Sequence, residues 1–387
     1  MNEEDVFQQP RACGKNPPAE PVRTRRGLKD FIELPYALHG HDPCFVPPLR
    51  GDCRRLLDRR RNPFFGYGDA ELFTVHRDGR VAGRVAAVHN PRHNAARQAN
   101  DGFFGQFTCA DDPDAARALF DAAAGWLRAR GLATMLGPVN FTTNDECGVL
   151  VDGFDTPPAV LMPYNPAYYP PLLEACGLTK TKDLWTWELA RPPMERMRRI
   201  TLRAERLHRL TVRPLEIRDF AAEIMRVKHV FDSAWQHNWG FTPMTDAEFT
   251  ALGRRLRSIA DPGLVQLAEV AGEPVAVGLA LPDLNQALPA ARGRLSHFGL
   301  PIGAVRLMLA ARRIDRVRAV LFGVVPHMRG RGIEAAVYAR TVEAIYAGGY
   351  GGAEVGWTLE DNQAINSYLT TTGCTRAKTY RIYGLAL

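Results

Sequence analysis

The sequence predicts an α/β fold of two tandem domains, each a mixed central sheet flanked by helices. Three observations lead there. The chain has 387 residues, too many for one ordinary core and enough for two of roughly 150–200 residues. Its composition, 46% hydrophobic and 24% charged, is that of a folded globular protein. Finally, one order of elements (hairpin, strand, helix, strand, short helix, strand) can be read twice along the chain.

In the first half, Glu71 to Val75 and Arg80 to Val88 flank Asp78-Gly79, a hairpin turn signal. A further strand ends at Phe104-Gly105. Asp112-Pro113 supplies a cap and a first helical residue, and Ala116, Leu119, Phe120, Ala123 and Leu127 follow at helical spacing up to Gly131. The strand Ala133 to Leu136 comes next, then a short helix within Asn165 to Leu178, then the strand Leu184 to Leu189. The second half repeats the order. Leu264 to Val270 and Pro274 to Leu281 flank Gly272, and Val320 to Val325 is an apolar strand. A helix from about Gly332 carries Ile333, Val337, Thr341 and Ile345 and ends at Gly348-Gly349. Ala353 to Trp357, Asn362 to Cys374 and Tyr380 to Leu385 complete it. Phe104-Gly105 is expected to match Phe322-Gly323, and Gly131 to match Gly349, at one constant offset. This is the mark of an internal duplication.

The expected boundaries are a flexible leader over 1–29, a first domain over 30–190, a linker over 191–213 and a second domain over 214–387. Two insertions break the duplication, Val139 to Pro163 in the first half and about Asp283 to Arg313 in the second. Insertions on a shared scaffold are where function is grafted. No apolar run is long enough to cross a membrane. Seven cysteines without a CxxC pair point to reduced thiols in a cytoplasm and offer no zinc site. The net charge of +7 favours anionic partners such as a phosphate group or an acidic membrane face.

The chemistry centres on Val324-Val325-Pro326-His327-Met328-Arg329-Gly330-Arg331-Gly332-Ile333. A glycine-rich loop between a strand and a helix frees backbone N–H groups at a helix N-terminus, which suits a pyrophosphate. Arg329 and Arg331 add charge there. This segment resembles the acyl-CoA signature of the GNAT superfamily. Over nearly its whole length the chain is similar to a bacterial family of tandem GNAT proteins that includes ceramide synthases, on segments such as Val46 to Leu49, Asn62 to Phe65, Gly102 to Gly105, Gly137 to Gly148, Tyr164 to Pro166, Lys180 to Leu184, Asn238 to Phe241 and Leu281 to Asn285.

The resemblance implies transfer of a fatty acyl group from acyl-CoA, as co-substrate and without a metal, to the amine of a sphingoid base. Val324 and Val325 would hold the pantetheine arm and Arg329, Gly330, Arg331, Gly332 and Ile333 the pyrophosphate, with Asn362 near the acyl group. The first half, with Gln106 to Pro113 in place of the loop, is not expected to bind CoA. The rivals are a GNAT acetyltransferase of a small amine, a transferase using aminoacyl-tRNA and a binding module with a dead site. The loop argues against the second, so no nucleic acid is expected. Two departures keep the third alive. Glu334 stands where the signature ends in Gly or Ala, and Leu369 stands where many members carry a tyrosine acid, with Tyr368 beside it facing elsewhere.

Amine acylation needs a base and donors for the oxyanion. Glu360 and Asp361 follow the strand Ala353 to Trp357. Asp145 and Glu146 end the polar run from Asn140, and His237 lies between Trp235 and Trp239. Each is a candidate, and each also has a plain structural reading as cap, solvated loop or packed ring. His89, Asn90 and His93 show no ligand spacing and are expected at the surface. The aromatic runs Tyr164 to Tyr169 and Trp235 to Phe241 suit a chain channel or ordinary core. In the second insertion, Arg292, Arg294, Arg306, Arg312 and Arg313 flank Leu295, Phe298, Leu300, Ile302, Val305, Leu307, Met308 and Leu309. That mixture fits peripheral contact with an anionic membrane, or a helix packed on its own domain.

Overall fold

The computed structural model describes residues 18–189, 194–257 and 259–387. Strand β1 (Ala19–Pro21) leads into helices α1 (Arg25–His39) and α2 (Arg50–Leu57), then β2 (Asp69–Arg77), β3 (Arg80–His89) and α3 (Pro91–Arg97). Next come β4 (Asp101–Cys109), α4 (Pro113–Arg128), β5 (Thr134–Gly137), β6 (Val149–Asp152), α5 (Tyr169–Ala175) and β7 (Thr179–Glu188). Helix α6 (Met194–His208) and β8 (Leu210–Pro214) open the second half, followed by α7 (Phe220–Trp235), α8 (Asp246–Leu256), β9 (Val265–Val270) and β10 (Glu273–Pro282). The chain closes with α9 (Ile302–Ala311), β11 (Arg316–Val324), α10 (Ile333–Ala347), β12 (Gly352–Leu359), α11 (Gln363–Thr371) and β13 (Thr375–Ala386).

Local signals explain most boundaries. Asp112 caps α4 by accepting from the Asp114 and Ala115 N–H groups, with Pro113 at the first turn. Gly131, Gly177, Gly349 and Gly373 all have positive φ just beyond their helices. Residues 1–17 of the expected leader lie outside the described residues. From Ala19 the chain is strand, paired Ala19 to Val75 and Pro21 to Phe73, and α1 starts within the stretch expected to be flexible. The expected linker likewise holds α6, which packs on α10 through Arg340 and Glu205 at 3.0 Å.

The two sheets are one. The strand order is β1-β2-β3-β4-β5-β13-β7-β12-β11-β10-β9-β8, with β6 paired to β13. The final strand of each half completes the other half's sheet: β13 lies against β5, as in Tyr383 with Gly137, and β7 lies against β12, as in Val355 with Trp187. The two exchanged strands also pair with each other along most of their length.

Strand register corrects one expected correspondence. Gly83 pairs with Cys109 and Ala87 with Phe104, while Ala276 pairs with Val324 and Ala280 with Ala319. Phe104 therefore stands level with Ala319, not Phe322. The match at Gly131 and Gly349 holds because the second half inserts a longer connection, Val325 to Gly332 against Ala110 to Asp112, between strand and helix.

Candidate functional site

Strands β11 and β12 run parallel from Arg316–Gly352 to Ala319–Val355 and then stop pairing. Beyond that point β12 stays with β7 and β11 stays with β10, so the sheet opens between them. Val320 to Gly323, in the middle of the sheet, are only half-buried, as are Val355 and Trp357. The first half has no such opening. Past Phe103–Leu136, the Val139 N–H donates to the Phe104 carbonyl at 2.7 Å and the Gln106 N–H to Asn140 Oδ1 at 3.0 Å. Gly105 permits this closure, since a Cβ there would lie 2.2 Å from the Val139 oxygen. Of the residues expected to replace a CoA loop, Gln106 to Pro113, those as far as Cys109 are strand.

The opening of the second half leads to the glycine loop. Val324 and Val325 are buried at its start, Gly330 and Gly332 take φ of 71° and 81°, and buried Ile333 begins α10. Positive φ at both glycines turns successive N–H groups toward one side, a conformation that side chains resist. The Gly330 N–H donates to Glu334 Oε1 at 2.8 Å, so a carboxylate holds a donor suited to phosphate. Arg329, exposed, donates from its guanidinium to the carbonyls of Val324 at 3.1 Å and Ala234 at 2.8 Å, tying β11 to α7. Arg331 is exposed and makes no ion pair among the described residues. Asn362 is the cap of α11, accepting from the Ile365 N–H.

The candidate acids separate. Glu360 accepts from Lys180 at 2.7 Å and from the Asp183 N–H at 3.0 Å. Asp361 pairs with Lys182 at 2.7 Å, and that hydrogen bond lowers its pKa. Both are committed to ion pairs on the joined strands. His237 lies exposed on the turn after α7. Leu369 is buried in the core, and half-buried Tyr368 meets the Tyr338 ring at 5.4 Å.

Asp145 and Glu146 lie in an insertion held against the second half. Thr143 donates to the Gly240 carbonyl at 2.6 Å and Asn144 to that of Thr242 at 3.0 Å, which brings the run from Asn140 beside Trp239. Asp145 accepts from Thr142 at 3.1 Å, and burial raises its pKa. Glu146 is exposed by its accessible surface, yet it is crowded by enough protein to be partly desolvated. Its enclosure pushes the pKa up to about 7, opposed by Arg255 and Arg318. Arg318 stands at the last but one paired position of β11 and donates to the Gly356 carbonyl through Nε at 3.1 Å and Nη2 at 2.8 Å. Glu146 thus lies within electrostatic reach of Arg318, near the end of the paired part of β11 before the opening.

Sequence reasoning missed two features. His93 and Asn90 are buried rather than at the surface. His93 bridges Thr242 at 3.1 Å and Asp101 at 3.3 Å, which ties the halves together. Arg318, Glu354, Lys378 and Tyr380 are buried on adjoining strands. A charged residue inside an apolar strand pattern was the signal available for them.

No protein-family model matches the chain. Over 379 residues, 95% of this chain and 97% of the relative, it is 35% identical to the bacterial ceramide synthase of Caulobacter vibrioides (strain NA1000 / CB15N). It is 30% identical over 370 residues, 94% of each, to protein YghO of Escherichia coli (strain K12). Among solved structures, a tandem GNAT protein from the clavulanic acid biosynthesis pathway matches with a TM-score of 0.54 at 12% identity, covering 95% of this chain and 98% of that one. A GCN5-related N-acetyltransferase from Sphaerobacter thermophilus matches with a TM-score of 0.50 at 14% identity over 96% of each chain. The structural likenesses carry the fold, and the full-length relatives carry the lineage. The chain belongs to the bacterial ceramide synthase family and is an N-acyltransferase built on two GNAT folds that share one sheet.

Proposed function

We propose that the protein transfers a fatty acyl group from acyl-CoA to the amine of a long-chain base of the sphingoid class, with Glu146 as general base. The observation that carries this reading is the opening beyond Ala319 and Val355, which leads to the glycine loop at α10 and has no open counterpart in the first half. Pantetheine would complete the unpaired edges of β11 and β12, and the Gly330–Gly332 loop would receive the pyrophosphate. The long-chain acceptor is supported by the name of the relative from Caulobacter. Glu146 would take a proton from the ammonium or from the tetrahedral adduct, a task best served by a pKa near the working pH.

The acceptor would be met at an anionic membrane surface. The insertion before β11 supports this: Phe298 is fully exposed, and Leu300, Val305, Met308 and Leu309 are exposed with it. Among the described residues no helix is long and apolar enough to cross a membrane, so contact would be through this surface. Incubation with a panel of acyl-CoAs and amines, followed by thiol release, tests the reading. Release is expected with long-chain acyl-CoA and a sphingoid base together and not with either alone. Equal release with small polar amines would replace the proposed acceptor.

A further inference from the structure

On the face of the sheet that carries Glu146, a band of polar side chains crosses four adjoining strands. Arg318 stands on β11, Glu354 on β12, Thr186 on β7, and Lys378 and Tyr380 on β13, all buried. Register holds the band together: Arg318 pairs with Glu354, Glu354 with Glu188, and Thr186 with Lys378. The segment leading into β6 runs beside the band: a Cβ at Gly148, two residues after Glu146, would lie 3.0 Å from the Tyr380 Cβ.

A strap of the first insertion, residues 153–160, closes over this band. Lys378 donates to the Gly153 carbonyl at 2.5 Å and to the Thr156 carbonyl at 2.8 Å. Asp283 accepts from the Val160 N–H at 2.8 Å, and Arg318 donates to the Val160 carbonyl at 2.8 Å. Beneath it, Tyr380 Oη, Glu354 Oε1 and Thr186 Oγ1 are buried without a well-formed hydrogen bond among the described residues, although Thr186 lies close enough to Glu354 to favour its carboxylate. A lone orphan of this kind is a local cost. Three on neighbouring strands form one buried polar cluster, and buried polar atoms of this kind are ordinarily met by water.

The reaction gives such a cluster a task. The amine nitrogen forms a bond to the acyl carbon, and the carbon–sulfur bond breaks with its electron pair going to sulfur. The ammonium loses two protons in all, the departing thiolate takes one, and one must leave the site in each turnover. We propose that this proton leaves Glu146 through Tyr380 and Glu354, by way of water held beneath the 153–160 strap, with Thr186 completing the chain. The inference rests on Glu146 being the base. Burial raises the Glu354 pKa and Asp283 adds to the rise, while Arg318, Lys378 and Thr186 oppose it, so the carboxyl can both hold the proton and pass it on. Asp145, Arg255 and Arg318 face Glu146.

The test compares Tyr380→Phe, Glu354→Gln and Glu146→Gln in the full chain. Tyr380→Phe removes no hydrogen bond made within the protein, and Glu354→Gln keeps the shape, so both are expected to fold with a wild-type Tm. Each should lower kcat about ten-fold or more, leave KM for acyl-CoA unchanged, enlarge the solvent deuterium isotope effect and alter the pH profile. A merely structural role would not move the isotope effect and the pH profile together while leaving KM unchanged. If Tyr380→Phe does not fold, Glu354→Gln decides alone. Wild-type kcat and pH profile in the relay variants, with Glu146→Gln inactive, would overturn the relay and leave the base standing. An active Glu146→Gln would overturn both.

Discussion

Glu146 combines two conditions that seldom meet in one carboxylate: water reaches it, and protein encloses it. The enclosure raises its pKa to about 7, so the basic form accumulates only as the pH passes that value. Turnover per unit of substrate should therefore climb about ten-fold per pH unit below about 7 and level off above it. The same shift sets the sign of the stability change. The unfolded chain releases this proton near the ordinary value of about 4.3, whereas the folded protein keeps it to about 7. Between the two, the native state binds more protons, and stability falls as pH rises. Glu146→Gln should lose activity by about a hundred-fold or more while its Tm gains on wild type from pH 5 to pH 8. A variant that loses Tm at pH 8 would contradict the enclosed-carboxylate account. At the loop, Glu334 accepts from the Gly330 N–H and would compete for it with the phosphate of the proposed cofactor. Glu334→Ala should tighten CoA binding by about 1 kcal/mol, read by calorimetry, and weaker binding would mean that this carboxylate helps rather than competes.

At the scale of the element, α9 departs most from ordinary packing. Only Gly303 of this helix is buried, because it rests on the preceding hairpin, where the Ala304 N–H donates to the Leu295 carbonyl at 2.9 Å. Its apolar side chains point outward, and Arg306, Arg312 and Arg313 are exposed beside them. Changing these three arginines to glutamate should cut binding to anionic vesicles by about 1 kcal/mol or more per residue, with salt weakening the wild type in the same direction. Flotation with anionic and neutral vesicles checks this, and wild type that ignores both would leave the exposed face without its proposed partner. The sequence carried the element order, the helix stops and the glycine loop, since each rests on local chemistry such as Asp112-Pro113 or Gly330 and Gly332. It could not show where long side chains reach. Arg329 and Arg331 look alike in the motif, yet only Arg329 is held by carbonyls. Glu360 and Asp361 resemble catalytic acids until Lys180 and Lys182 arrive from β7. Phe104 and Phe322 resemble equivalents until the hairpin registers place Phe104 beside Ala87 and Phe322 beside Gly278.

Across the whole molecule, the exchange of β7 and β13 makes the two folds one body. No local pattern predicts it, because a strand reads the same whichever sheet receives it. On the proposed reading the first half would supply Glu146, the strap and the closing strand, and the second the opening and the loop. One working cleft per chain would follow, built by both halves and lying between β11 and β12. A calorimetric titration of CoA measures this most directly, run on wild type and on Arg331→Ala. The account predicts one CoA per chain for wild type, with affinity weakened by roughly 1.5–3 kcal/mol in the variant through loss of one charge-assisted contact. Two CoA molecules per chain, or an affinity untouched by the loop substitution, would contradict it.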